Sequence, residues 1–286
     1  MTEKNHATSV RARLLNLSRS QGEDFQRLLV RYAIERLLYR LSISAHADEF
    51  VLKGATLFAL WMGKPHRATK DLDLLGRGTP DVARLIEVFR QIAGVPCPED
   101  GLSFEPEGIT GETIREEALY SGVRVVVPCQ LAGAQVKVQV DIGLGDAAVP
   151  PPLTVEVTSL LGLPAAHMRA YARETVVAEK LEALVVLGLT TSRMKDLYDL
   201  DLLRRTFAFD GTLVASVQAT FARRGTPVPT TVPIGLRDAF AEDAVKQVQW
   251  SAFLRKAGGD GARPLADVVV GLRERLWPVL ERAGTR

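Results

Sequence analysis

The stretch RATKDLDLLG, residues 67–76, sets two carboxylates one residue apart inside a run that otherwise reads as a buried strand. Side chains alternate along a strand, so Asp71 and Asp73 share one face while Leu72 and Leu74 share the other. Like charges held side by side repel. A fold that keeps them there must supply a positive partner.

The neighbouring text narrows what that partner is. Upstream, FVLKGATLFALW (residues 50–61) starts with an apolar run, Phe50-Val51-Leu52, continues through Lys53, breaks at Gly54, and reads as a helix from Ala55 to Trp61. A glycine at a strand-to-helix turn, with Thr56 in the first helical turn, presents backbone N–H groups that suit an anion. Taken alone, the glycine describes a turn and the Asp-x-Asp pair a solvated strand face. Placed 17 residues apart, Gly54 and Asp71 have a joint mechanism: a loop that cradles a triphosphate beside carboxylates that hold its cation. Downstream, GVRVVVPCQL (122–131) and AQVKVQVDIGL (134–144) read as two strands joined by a hairpin turn at Ala132-Gly133. In the second strand Val136, Val138, Val140 and Ile142 share one face, and Lys137, Gln139 and Asp141 the other. If these strands are neighbours, Asp71, Asp73 and Asp141 converge. Such a patch calls for a hard divalent cation with oxygen ligands, Mg²⁺ above all, and suits in-line phosphoryl transfer.

The rest of the chain frames this patch. With 286 residues, 47% of them hydrophobic, it can bury a substantial core. Apolar residues at helical spacing (Leu28, Leu29, Tyr32, Ala33, Leu37, Leu38, Leu41) predict one amphipathic helix over residues 10–43, with Arg27, Arg31, Arg36 and Arg40 around its other sides. Pro80 opens a helix to about Ala93, and a short strand lies near Val155, after the proline run 150–152. Beyond that the spacing predicts helices at about 174–188, 193–206, 210–223, 236–257 and 264–283. The expected organisation is therefore a mixed domain at 1–165 followed by an α-helical domain at 166–286 packed against it. Two cysteines, Cys97 and Cys129, are too few for a disulfide framework, which suits a reducing cytoplasm. No secretory signal or membrane-spanning run is visible, so a cytoplasmic protein without membrane contact is expected. A net charge of +2 predicts no partner, and the 4 histidines are too scattered for a zinc site. No Ser/His/Asp arrangement and no Walker-type loop is present.

Four separated blocks in order, VLKGATLFALW with HRATKDLDLLG, then VQVDIGLGD, TVVAEKLEALVVLG and SRMKDLYDL, resemble the AbiEii/AbiGii toxin family of the nucleotidyltransferase superfamily. The resemblance covers residues from about 10 to 205. It implies an α+β fold, with a polymerase-β-like core of mixed sheet flanked by helices and an α-helical C-terminal domain behind it. It implies that Asp71 and Asp73 bind metal with Asp141 as a third acidic ligand, and that Lys180 lies near the nucleotide. Lys195 and Asp196 match the family's lysine–aspartate, with Asp196 a candidate base or orienting group for the acceptor hydroxyl. Lys53, Gly54, Ala55, Thr56 and Arg67 become nucleotide-binding candidates. The loop departs from the usual Gly-Ser or Gly-Gly, because Ala55 supplies no hydroxyl. Read without the resemblance, Lys180 is a solvated helix lysine, and Lys195 and Asp196 are helix-end charges behind a Ser192 N-cap. The implied activity is Mg²⁺-dependent transfer of a nucleoside monophosphate from an NTP to an acceptor, foremost the 3′ end of tRNA, blocking translation and growth in a toxin–antitoxin or phage-defence setting. An adjacent gene is expected to encode the antitoxin. Arg204-Arg205, Arg223-Arg224 and Arg255-Lys256 are the expected phosphate contacts for RNA. A protein acceptor, or a nucleotide-binding module without chemistry, is the alternative.

Overall fold

The N-terminal apolar spacing runs as two helices, α1 (Glu3–Gln21) and α2 (Phe25–Ser42), where one was expected. Gly22 takes a φ of +63°, which ends α1. Asp24 then caps α2 by accepting the Arg27 N–H at 3.0 Å. The computed structural model describes residues 3–63, 71–116, 120–209, 211–257 and 263–285. The chain divides into two compact units, residues 1–145 with 153–170 and residues 146–152 with 171–286.

The first unit is built on a mixed eight-stranded sheet. After α2 come β1 (Phe50–Lys53), α3 (Ala55–Met62), β2 (Asp71–Gly76) and α4 (Val82–Ala93). There follow β3 (Leu102–Phe104), β4 (Thr110–Glu116), β5 (Tyr120–Leu131), β6 (Ala134–Leu144), β7 (Leu153–Val157) and β8 (Ala166–Ala170). Spatial order is β3-β5-β6-β2-β1-β8-β7, with β4 also pairing along β5. β2 lies parallel to β6 and antiparallel to β1, which places the Asp-x-Asp strand at the centre of the sheet.

The expected alternation holds. Leu72 and Leu74 of β2, Val123, Val125 and Val127 of β5, and Val138, Val140 and Ile142 of β6 are all fully buried. α2 covers this apolar face with the predicted stripe, each member at most 1% exposed. Burying each such leucine contributes about 1.5–3 kcal/mol. Among the described residues, no helix is long and apolar enough to cross a membrane.

Further details depart from the sequence reading. Pro80 lies just outside α4, which is capped by Asp81 accepting from the Arg84 N–H at 3.0 Å. β8, in the stretch AHMRA, was not foreseen; Ala, Met and Arg are helix formers, yet Ala166, Met168 and Ala170 alternate into the core. The helix expected at 236–257 is interrupted at Asp243, giving α8 and α9 below. Finally, Arg36 and Arg40 do not face solvent. Both are buried and converge on buried Asp100, with Arg40 Nη1 at 2.5 Å and Arg36 Nε at 3.4 Å from Oδ2. Tyr32 donates its hydroxyl to the Asp100 carbonyl at 2.8 Å, and Arg36 donates to the Pro164 carbonyl at 2.8 Å. The cluster thereby fastens α2 to the turn before β3 and to the loop before β8.

The second unit is helical. It contains α5 (Arg173–Leu187), α6 (Met194–Thr206), α7 (Thr212–Arg224), α8 (Asp238–Glu242), α9 (Ala244–Ala257) and α10 (Leu265–Gly284). The 146–152 segment belongs to it through Val149, whose carbonyl accepts from Thr175 Oγ1 at 2.8 Å and Ser216 Oγ at 2.6 Å. Leu181, Leu197, Leu203, Val217, Phe221, Leu272 and Leu280 form its core. Glu182 is buried and bound by Arg224 at 2.7 Å and Thr226 at 2.6 Å.

Because removing one partner of a buried ion cluster strands the others, Asp100→Ala should cost about 3–5 kcal/mol in urea denaturation. Asp48→Ala, which removes an exposed partner of Arg169, should cost less than about 1 kcal/mol.

Candidate active site

Register aligns the charges. Lys53 of β1 pairs with Asp73 of β2, Asp73 with Asp141 of β6, Asp141 with Arg124 of β5, and Arg124 with Glu112 of β4. Directly paired residues point to the same side of a sheet, so five charged side chains form one row across five strands. The two carboxylates at its centre stem from backbones one strand spacing apart, roughly 4.8 Å. At an effective dielectric of about 20 such a pair repels by roughly 3 kcal/mol. Cationic residues flank it on both sides.

Arg124 answers the repulsion directly. Its Nε donates to Asp141 Oδ1 and its Nη2 to Asp141 Oδ2, each at 2.8 Å. The Gln139 amide adds longer contacts of 3.3 Å to both oxygens. The hydrogen bond to Asp141 raises the Arg124 pKa above its ordinary value against the opposing effect of burial, with further support from the charges of Asp141, Asp71 and Glu112. Sequence reasoning missed this residue, although the signal was present. Ala132 and Gly133 take φ of +46° and +81°, the signs of a two-residue type I′ turn. Such a turn pairs Leu131 with Ala134, and seven residues further out on each strand Arg124 meets Asp141.

On the other side of Asp73 stands the glycine turn. Gly54 has φ +73° and ψ −153°, a conformation nearly restricted to glycine, and precedes α3. A Cβ placed on Gly54 would lie 1.9 Å from Asp73 Oδ2 and 2.6 Å from Asp73 Cβ. The turn's backbone and the Asp73 carboxylate therefore touch. Ala55 is buried and Thr56 is partly exposed. Arg67 lies outside the described residues.

The oxygen donors of Asp71 and Asp73 suit a hard divalent cation, and the bare Gly54 Cα gives the Asp73 carboxylate the space it occupies. Asp141 presents the same chemistry but already has a cation, Arg124. Among the described residues, no three acidic, His or Cys side chains are grouped closely enough to hold one metal ion.

The candidates in the helical unit form a network of their own. Lys180 Nζ on α5 lies 2.5 Å from Asp196 Oδ1 and 2.9 Å from Asp199 Oδ2, both on α6, and Arg193 Nε lies 2.5 Å from Asp196 Oδ2. Both aspartates are buried, whereas Lys195 is exposed. Burial pushes the Asp196 carboxyl up, but Lys180, Arg193 and Lys195 together outweigh it and hold the group below the usual carboxylate range. Thr191, not Ser192, supports the start of α6, its hydroxyl accepting the Arg193 N–H at 3.1 Å. Asp199 was not singled out in the sequence, although it lies three residues beyond Asp196 and so on the same helical face. Of the arginines expected to meet RNA, Arg204 pairs with Asp201 at 2.6 Å and Arg224 is buried among Asp146, Glu179 and Glu182. These two side chains belong to the interior of their unit.

Two substitutions test this geometry. Gly54→Ala forces an L-residue into a glycine conformation against Asp73 and should destabilise the chain by about 1–3 kcal/mol, read by denaturant titration. Lys180→Met leaves two buried carboxylates undercompensated and should cost about 3–5 kcal/mol at pH 7. Because the native Asp196 pKa is depressed, its stabilisation is present above the unfolded carboxylate pKa and lost as pH falls through the native value. The gap between wild type and Lys180→Met should therefore narrow below about pH 4.

Comparison with known proteins places the chain. The family model for the nucleotidyl transferase AbiEii toxin of type IV toxin–antitoxin systems matches residues 36–271. Among solved structures, a candidate nucleotidyltransferase from H. pylori is 18% identical, with 91% of this chain and 97% of that chain covered and a TM-score of 0.46. JHP933 from Helicobacter pylori is likewise 18% identical, covering 91% of this chain and 94% of that one at a TM-score of 0.45. No curated protein matches. With most of its length matched by the family model, the chain belongs to the AbiEii family of nucleotidyl transferase toxins from type IV toxin–antitoxin systems.

Proposed function

We propose that this chain moves a nucleoside monophosphate from an NTP to the 3′ end of tRNA and so arrests translation, in a cell that also makes a cognate antitoxin. The observation that carries the reading is the seating of the Asp73 carboxylate against the Gly54 turn, with Asp71 two residues away on the same strand face. Asp71 and Asp73 would hold Mg²⁺, which supplies positive charge to the triphosphate and polarises the phosphorus under attack. The chain's own groups do the remaining work. With no hydroxyl at Ala55, backbone N–H groups at the start of α3, or the Thr56 hydroxyl, bind phosphate oxygens. Lys53 neutralises charge beside Asp73, and Arg67 is retained as a phosphate ligand from the family pattern. Positioned cations of this kind are the main source of rate in phosphoryl transfer.

In the helical unit, Lys180 and Lys195 are taken as further charge-neutralising groups. The paired, low-pKa state of Asp196 favours an orienting role, holding Lys180, over a role as proton acceptor. The arginines at 204 and 224 are withdrawn as RNA contacts, since both are engaged internally.

Incubation with each labelled NTP, total tRNA and Mg²⁺ should label tRNA with the wild type, and Asp73→Ala should lower the rate at least about 100-fold at unchanged folding. Label on a polypeptide instead moves the acceptor to protein. Growth arrest that persists with Asp73→Ala replaces chemistry with sequestration.

A further inference from the structure

Asp141 is the third acidic residue of the family pattern, yet its surroundings in this chain are those of an anchor. Both of its oxygens accept from one guanidinium in a planar fork at 2.8 Å. Two parallel N–H···O bonds of this kind are among the strongest side-chain pairings. A divalent ion on the same carboxylate would lie beside a fixed positive charge and repel it. The register reinforces the arrangement, because Arg124 is the direct partner of Asp141 on β5 while Asp73 is its partner on β2.

The fork uses the Nε hydrogen and one Nη2 hydrogen of Arg124. A guanidinium carries five, so three N–H donors remain. Among the described residues, no protein acceptor for those three is found. The side chain is 33% exposed on the face that carries Asp71 and Asp73. A planar cation fixed along one edge and open along another is the usual construction for gripping a phosphate oxygen.

We propose that Arg124 binds the triphosphate of the nucleotide, and that Asp141 serves to position Arg124 and does not bind metal. This rests on the nucleotidyl-transfer reading of the Asp71–Asp73 site. It divides the row into a metal-holding part on β2 and a phosphate-holding part on β5 and β6. Asp141 is then a positioning residue, and its loss acts through Arg124.

The test separates metal from phosphate. Binding of Mn²⁺ alone is measured by electron paramagnetic resonance, and binding of inorganic tripolyphosphate in excess Mg²⁺ by calorimetry. Full-length wild type is compared with Asp73→Asn, Asp141→Asn, Arg124→Gln, Arg124→Lys and the Arg124→Gln/Asp141→Asn double variant, each checked for folding by thermal melting. Asp141→Asn and Arg124→Gln should each keep Mn²⁺ affinity within about twofold and weaken tripolyphosphate about tenfold. The double variant should lose no more than either alone, because the two residues act as one unit. Arg124→Lys, which keeps the charge but cannot fork, should lose severalfold. Asp73→Asn should weaken Mn²⁺ at least about tenfold. If Asp141→Asn weakens Mn²⁺ as Asp73→Asn does, Asp141 is a metal ligand and the proposal is wrong. If the Arg124 variants bind tripolyphosphate like wild type, the proposal is equally wrong while the transferase reading stands. If Asp73→Asn changes neither measurement, the transferase reading of this site fails first.

Discussion

Asp73 and Asp141 stand side by side on neighbouring parallel strands at the middle of the sheet, a placement that costs free energy wherever no cation is near. The structure meets that cost on both flanks. Lys53 flanks the pair on β1, and Arg124 flanks it on β5 with a two-point grip. The apolar face on the other side of the same strands is almost fully sealed from water. A one-residue slip of any strand would therefore bury a charge and expose a valine or leucine. The hydrophobic core and the charged row enforce each other's register.

Much of this was legible in the residues. Period-2 alternation in β2 and β6, the hairpin turn at Ala132-Gly133 and the glycine break at Gly54 are local signals, each with a local physical cause. What escaped was non-local. Arg36 and Arg40 sit at helical positions that look solvated, and their burial is compensated chiefly by Asp100, about sixty residues away. β8 escaped because its composition favours helix and only its place between β1 and β7 makes it a strand. Arg124 was legible in principle, through the register that a two-residue turn imposes, but a lone arginine in a valine-rich strand carries no motif.

Lys180, Asp196 and Asp199 look like surface charges of two amphipathic helices, and the family pattern alone lifted the first two out of that reading. In the fold they form a buried network in which each charge has an opposite neighbour. Such networks are costly to disrupt one member at a time. Lys180, Asp196 and Asp199 are thereby part of what holds α5 to α6.

The tight link between β5 and β6 has an evolutionary consequence. Because Arg124 meets Asp141 only through the count of residues back to Ala132-Gly133, the length of an exposed, solvent-washed loop is tied to the Arg124–Asp141 fork seven residues away. Identity at the tip can drift among residues that tolerate positive φ, whereas a single inserted or deleted codon would dislocate the whole ribbon. In descendants of this chain, indels should collect in other loops and spare this one.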